Sequence, residues 1–199
     1  MRRFPTALII AALAFGLPAL ANASSNDIDK VNGAIQVDAG QQAGDVSTVN
    51  GAIHIGNGAV VGKASTVNGA VELGDKAHAN ELGTVNGAIS LGRNSRVTGE
   101  VSAVNGHIEL ASGAEIGGKL DNVNGGIELD AAHVAGGIST VNGDIEVGAN
   151  SHVEGGMLVE KPNTGWFHWG RERTPLVVIG PHAVVQGTLE FKREVVLKV

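Results

Sequence analysis

The sequence repeats one tripeptide, Val-Asn-Gly, at an almost constant interval, and this repeat constrains the fold more than any other feature. The seven copies begin at Val31, Val49, Val67, Val85, Val104, Val123 and Val141. Successive copies are 18 or 19 residues apart. Self-similarity at such a short, fixed period is typical of solenoids, in which each unit stacks on the next and cannot bury its core alone.

Each unit contains short stretches in which apolar and polar residues alternate. Counted from the valine of the tripeptide, apolar residues recur at the first, fifth and seventh positions, as in Val49, Ile53 and Ile55. Others stand near the thirteenth and near the sixteenth or seventeenth positions, and a small residue stands near the eleventh. Alternation with period two predicts short strands that bury one face, and the repeated apolar positions are the candidate core.

Residues that favour tight turns separate these stretches. Asn-Gly occupies positions two and three, and glycine is frequent at position eight and at position fourteen or fifteen. Both residue types tolerate positive φ, so we expect them to form three corners per unit. The sequence therefore predicts an all-β fold, a single-stranded parallel β-helix with triangular coils of about 18 residues. Asn-Gly also favours antiparallel hairpins, but a hairpin meander does not require a constant 18-residue register.

Stacked coils place equivalent side chains in columns along the solenoid. The tripeptide asparagines are expected to form a structural ladder of amide hydrogen bonds rather than a ligand-binding row. Its members are Asn32, Asn50, Asn68, Asn86, Asn105, Asn124 and Asn142. The sixth position gives a second column, which we interpret as a solvated polar face, with cation binding as the alternative. It contains Gln36, His54, Glu72, Ser90, Glu109, Glu128 and Glu146.

The seven histidines do not follow the repeat in an obvious way. His78 and His152 fall at position twelve of their units, but His133 falls at position eleven. Scattered histidines without cysteine partners do not indicate a zinc site. No phosphate-binding loop or Gly-x-Ser-x-Gly motif is present. We therefore predict no catalytic residues, no metal site and no cofactor.

The N-terminal segment, residues 1–23, has the layout of a secretory signal peptide. Arg2 and Arg3 precede an apolar run, and the sequence at 21–23 is an Ala-x-Ala cleavage site. We expect cleavage after Ala23 and a periplasmic or secreted protein, with no membrane-spanning segment left after cleavage. The chain carries a net charge of −6, and removal of the leader makes it more negative by two. We therefore expect no nucleic-acid partner, because phosphate binding requires a basic surface.

One segment near the end interrupts the repeat. The predicted β-helix domain is 24–199, with an inserted loop at about 160–175 that is bracketed by Pro162 and Pro175. This loop contains both tryptophans of the chain. Concentrated aromatic residues often mark binding surfaces, although they can also fold back onto the core. The candidate binding residues are Trp166, Phe167, Trp169, Arg171 and Arg173.

Several stretches with the pattern Ile-Gly-x-x-Ala, at 55–62 and 179–187, resemble the bactofilins, the polymer-forming β-helix proteins of bacteria. That resemblance implies a right-handed β-helix that assembles end to end into non-enzymatic filaments or scaffolds, usually in the cytoplasm. The Val-Asn-Gly-x-Ile repeats are also similar to the Val-Ser-Gly-Asp repeats of bacterial adhesin-like β-solenoids, which act outside the cytoplasm. A third similarity, to the left-handed hexapeptide-repeat acyltransferases, would make His54 or His78 the catalytic candidate.

Taken together, these features favour an exported, non-enzymatic structural β-solenoid, a scaffold or adhesin-like protein of the cell envelope. End-to-end self-association and contact with envelope components are the expected partnerships. The alternative is a surface- or carbohydrate-binding module that uses the aromatic loop, and a hexapeptide-type acyltransferase is the enzymatic alternative.

Overall fold

The computed structural model describes residues 26–162 and 173–199. This part of the chain consists of short β-strands and turns, without a helix. The strands are β1 (Ile28–Asn32), β2 (Ile35–Val37), β3 (Val46–Asn50), β4 (Ile53–Ile55), β5 (Lys63–Asn68), β6 (Val71–Leu73), β7 (His78–Ala79), β8 (Glu81–Asn86), β9 (Ile89–Leu91), β10 (Arg96–Val97), β11 (Val101–Asn105), β12 (Ile108–Leu110), β13 (Glu115–Ile116), β14 (Leu120–Asn124), β15 (Ile127–Leu129), β16 (His133–Val134), β17 (Ile138–Thr140), β18 (Ile145–Val147), β19 (His152–Val153), β20 (Met157–Val159), β21 (Leu176–Ile179), β22 (Val184–Val185), β23 (Leu189–Phe191) and β24 (Val196–Lys198).

The strands form three parallel sheets that run along the length of a solenoid. The first sheet has the order β1-β3-β5-β8-β11-β14-β17-β20-β23, and the second has the order β2-β4-β6-β9-β12-β15-β18-β21-β24. The third and shorter sheet is β7-β10-β13-β16-β19-β22, extended by bridges from Gln42 to Val60 and from Val60 to His78. Each turn of the chain visits the three sheets once, so the predicted parallel β-helix is confirmed.

The interior is a narrow column of aliphatic side chains. The fifth and seventh positions are buried along the rod, as Ile53, Ile108 and Leu110 illustrate with full burial. The thirteenth position and the sixteenth or seventeenth position are also buried, for example at Val97 and Val101. Alanine fills the eleventh position at Ala59 and Ala77, and both are fully buried. These candidate core positions are confirmed.

The first position is predicted from the sequence to lie in the core, and this prediction is wrong. Along β3, Val46 and Thr48 are buried, whereas Val49 lies on the outer surface. The alternation of the strand decides this, because Val46 points inward and every second residue follows it. The buried Thr66 and Thr84 hydroxyls donate to the carbonyl oxygens of Gly51 and Gly69, each bond being 2.9 Å long.

The glycine of the tripeptide is needed mostly for space and not for backbone conformation. Gly33 and Gly125 have positive φ, but the equivalent glycines in the intervening coils do not. At Gly51, Gly69 and Gly87 a β-carbon would overlap the carbonyl oxygen of the equivalent glycine one coil earlier. The expected role of this glycine as a positive-φ corner is therefore wrong for most coils.

The left-handed corner lies instead at the tenth position. Gly40 and Gly58 have φ of 71° and 66° there, and Lys76 and Asn94 have φ of 57° and 53°. Non-glycine residues in this region cost about 1 kcal/mol or more each, and the cost is smaller for asparagine than for most. The corner tolerates them because the hydrogen bonds of the neighbouring coils hold it in place.

Small changes in coil length are absorbed at the corners. Val97 pairs with Ala79, but Val101 pairs with Leu82, so the later coil contains one extra residue between Val97 and Val101. The extra residue therefore follows the thirteenth position of its unit.

The reverse change occurs at the corner near Asp130 and Ala131. Leu110 pairs with Leu129, and Ile116 pairs with Val134. The chain from Leu129 to Val134 is therefore one residue shorter than the equivalent chain one coil earlier. In this coil alone, His133 and Val134 stand one position earlier, relative to the tripeptide, than the equivalent residues of the other coils, and His152 in the next coil is again at position twelve.

The repeat continues beyond its interruption. Val159 ends β20, and the rod resumes at Leu176, with Val177 on Ile145 and Ile179 on Val147. The C-terminal residues then form β23 and β24, which add a further coil. Within 26–162 and 173–199, no helix has the length and apolar character needed to cross a bilayer.

Candidate functional site

The predicted asparagine column is continuous from the first coil to the seventh. Each side-chain amide donates to the amide oxygen of the asparagine one coil earlier, over distances of 2.9–3.1 Å. The last oxygen, that of Asn142, accepts a 2.8 Å hydrogen bond from the Arg193 guanidinium. Arg193 therefore ends the column at the point where Val-Asn-Gly stops.

Charged side chains hold the base of the inserted segment. Arg173 forms an ion pair with Asp144, and Asp144 also accepts a 2.9 Å hydrogen bond from the backbone N–H of Leu176. Arg193 donates to the carbonyl oxygen of Arg173 at 3.0 Å. The segment thus leaves and rejoins the rod beside the end of the asparagine column.

A second ion pair lies on the other side of this base. The Lys192 ammonium is 2.9 Å from the Glu160 carboxylate. The hydrogen bond to Glu160 raises the pKa of Lys192 and so favours the charged form of this ammonium. Of the candidate binding residues, only Arg173 lies in the described part of the chain. Trp166, Phe167, Trp169 and Arg171 lie outside the described residues, and their role in binding stays a prediction.

The sixth-position column forms the outer surface of the second sheet. Glu109 pairs in register with Glu128, and Glu128 with Glu146. Near the start of the rod, His54 is 2.8 Å from Glu72 across neighbouring coils. A shallow depression of about 580 Å³ lies over this region, with Gln36 and Ser90 among its lining residues. The surface is polar and acidic, and exposed ion pairs of this kind add at most about 1 kcal/mol.

The third sheet brings histidines together that the sequence pattern left apart. His78, His133 and His152 occupy one column with Arg96 and Glu115. His78 and His152 share position twelve of the repeat, and the missing residue near Ala131 brings His133, at position eleven, into the same column.

His133 is the centre of this column. It is 2.9 Å from Glu154 and 3.9 Å from Glu115, and its ring meets that of His152 edge-on at 5.5 Å. In the described residues, no three histidine, aspartate or glutamate side chains converge as a metal ion requires.

A pair of carboxylates, Glu100 directly before β11 and Asp121 on β14, provides a pH-sensitive contact. Partial burial, and then the charge and hydrogen bond of Asp121, raise the pKa of Glu100, while Lys119 acts in the opposite direction. A carboxyl whose pKa is higher in the folded state stabilises the fold below its unfolded pKa, and that stabilisation is lost as the pH rises through the folded pKa.

We expect Glu100→Gln to raise the melting temperature slightly at pH 7, because it removes repulsion by Asp121. The gain should shrink at pH 4, where the wild-type carboxyl is already largely protonated. Thermal unfolding at the two pH values measures this difference. Glu194→Gln, at an exposed position of the last coil, is the control and should give the same small change at both pH values. An equal gain at pH 4 and pH 7 for Glu100→Gln would contradict the assignment.

The two ends of the solenoid are open sheet edges. In the described part of the chain, β1 and β2 are the outermost strands at one end, and β23 and β24 at the other. Leu189 and Leu197 continue the inward-facing columns of Met157 and Val177, yet they are 37% and 44% exposed. The last coil thus presents core side chains and unpaired backbone groups along the rod axis.

No family model, curated protein or solved structure matches this chain. The fold and its surfaces are therefore described from the registers and contacts of the chain itself.

Proposed function

We propose that this protein is an exported, non-enzymatic β-solenoid that serves as a structural element of the cell envelope and assembles end to end. The resemblance of its repeats to bactofilins and to adhesin-like solenoids supports the structural role. The predicted signal peptide supports export, but it lies at 1–23, outside the described residues.

The observation that carries the assembly is the pair of open ends. A second copy placed on the last coil would continue inward columns of the first and second sheets, with its Ile28 over Leu189 and its Ile35 over Leu197. Such a contact would pair the free edges of the first and second sheets and cover the exposed leucines. Because the two surfaces differ, the contact is heterologous and generates filaments rather than closed dimers.

We expect Leu197→Asp to prevent this assembly, because it places a carboxylate where the inward column must continue. Electron microscopy and sedimentation of the purified protein measure the result: filaments or concentration-dependent oligomers for the wild type, and none for the variant. Val196→Asp is the matched control, since Val196 lies on the same strand but outside the inward column.

Circular dichroism should confirm that both variants keep the β-sheet signal. Protein for the experiment is recovered from the periplasm of an expressing bacterium, where Ser24 is the expected N-terminal residue. Recovery of only the uncleaved chain in the cytoplasm would contradict export. A wild type that forms no end-to-end oligomers, even in concentrated solution, would contradict the assembly.

A further inference from the structure

The outer surface of the first sheet carries an apolar column that the structural role described above does not use. The valines of the seven Val-Asn-Gly units lie there in register, one per coil. Val31 is 67% exposed and Val123 is 36% exposed, while the five others are half-buried. Seven stacked β-branched side chains form a continuous apolar ridge roughly 30 Å long, at about 4.8 Å per coil.

The column beside this ridge contains short side chains. It begins with Asp29 and continues in register through Ser47, Ser65, Gly83, Ser102, Asp121 and Ser139. The first seven coils of this face therefore present a valine column and a serine column with two carboxylates. A further exposed column at the start of the strands contains Asp45, Lys63, Glu81, Glu100 and Lys119. By contrast, the second sheet displays its row of glutamates and the third sheet displays Arg96, Glu115 and His133.

This charge distribution indicates which partner fits the ridge. The chain has a net charge of −6, and it becomes more acidic when the leader is removed. Two copies therefore repel each other in most orientations. When their first sheets meet with the rods antiparallel about Val85, Lys63 lies opposite the partner's Glu100 and Asp45 lies opposite the partner's Lys119, with Glu81 opposite its own copy. A second copy also has the same spacing along its own ridge, so valines can interdigitate with valines over the full length, as in sheet-on-sheet packing.

We propose that two copies of this chain pair side by side through their first sheets, in antiparallel orientation about a two-fold axis at Val85. In this arrangement Val85 packs on the partner's Val85, and Val67 packs on the partner's Val104. Val49 then meets the partner's Val123, and Val31 meets the partner's Val141. The interface is isologous, so it closes as a dimer and is distinct from the end-to-end contact.

The carboxylates of the serine column also favour the antiparallel orientation. In the antiparallel pair, Asp29 faces the partner's Ser139, and Asp121 faces the partner's Ser47, so each carboxylate meets a hydroxyl group. In a parallel pair about an axis along the valine column, the strands of the two copies would run in opposite directions. The two serine columns would then lie on opposite sides of the valines, and these contacts would be lost. Gly83 lies at the axis, where the absence of a side chain allows the two sheets to approach.

The size of the face predicts a weak dimer. Seven coils and strands of about five residues give a surface of roughly 34 Å by 16 Å. Two such surfaces bury on the order of 1,100 Å² in total, at the lower end of the range for specific interfaces. The dimer should therefore depend on protein concentration.

Cysteine cross-linking tests the arrangement directly, because the chain has no cysteine of its own. All variants are made in the Leu197→Asp background, which blocks the end-to-end contact and leaves the first sheet intact. Val85→Cys should cross-link to itself with an oxidant or a short bismaleimide at least tenfold faster than Ser90→Cys, a control on the second sheet. Val31→Cys should not cross-link to itself, but it should do so when mixed with Val141→Cys.

Two results would overturn the proposal. Val85→Cys that reacts no faster than Ser90→Cys would show that the first sheets do not meet. Val31→Cys that reacts with itself as fast as Val85→Cys would show that the pair is parallel. As an independent measurement, Val85→Lys should weaken the dimer at least tenfold in sedimentation, whereas Ser90→Lys should not. In protein that keeps Leu197, filaments without lateral pairing would contradict only this inference. Lateral pairing without filaments would contradict only the proposed function.

Discussion

Replacement of Gly87 by alanine is expected to destabilise the solenoid by about 3 kcal/mol, among the largest effects of any single methyl group in this chain. The new β-carbon would overlap the carbonyl oxygen of Gly69, which already accepts a hydrogen bond from Thr84. Neither coil can retreat, because β8 and β9 are bonded to their neighbours on both sides. The added methyl group therefore forces apart coils that the backbone hydrogen bonds hold together.

A comparison with Gly58 distinguishes two reasons why a position requires glycine, which are lack of space for a side chain and a positive backbone φ. Gly58 has φ of 66° and open space around its α-carbon, so Gly58→Ala should cost only about 1 kcal/mol. Asparagine tolerates this conformation, and Gly58→Asn should recover most of that loss, whereas Gly87→Asn should not improve on Gly87→Ala. Urea unfolding of the four variants gives the free energies. A Gly87→Ala variant as stable as Gly58→Ala would contradict the close approach of the coils.

We expect Ile108→Ala to cost about 3 kcal/mol, because it opens a cavity in the middle of the rod. Ile108 is fully buried and lies between Ile89 and Ile127 in the fifth-position column. Each column of the core contains one side chain per coil. The residues in the coils above and below therefore cannot fill the cavity unless their strands move. For a chain of this length the loss should lower the melting temperature by about 10 °C.

Two control variants test whether this loss of stability comes from burial in the core. Glu109→Ala changes the next residue along the same strand, whose side chain faces solvent, and it should alter stability by less than about 0.5 kcal/mol. Leu197→Ala removes a similar volume at the open end, where the side chain is 44% exposed, and should cost about 1 kcal/mol. Equal losses for Ile108→Ala and Leu197→Ala would contradict the burial gradient along the rod.

Much of the fold was predictable because its pattern is local. Ile53 and Ile55 are separated by one polar residue, and the same pair recurs in each unit, so the strand, its buried face and its register follow from counting. The asparagine column follows in the same way, since equal spacing puts Asn50 above Asn32. The binding role of the aromatic loop stays a prediction, because most of the aromatic residues lie outside the described part of the chain.

The side-chain contacts that the sequence did not predict lie between coils, and they cannot be found from any single unit of the repeat. His133 lies in the same column as His152 only because one residue is missing near Ala131. Counted from the tripeptide, the two histidines have different positions, so the sequence pattern alone did not place them together. The polar cluster of Asp144, Arg173 and Arg193 was missed for a similar reason, since these side chains come from distant parts of the sequence.

The sequence by itself determined the coil length, the three parallel sheets, the aliphatic core and the column of asparagines, because each repeats with the period of the chain. Only the tertiary structure decided which way Val-Asn-Gly faces. Its valine lies outside because the strand alternation starts from Val46 and places Thr48 inward. Its glycine is required because the carbonyl of the previous coil occupies the space of a side chain, a contact between successive coils that no local pattern reveals.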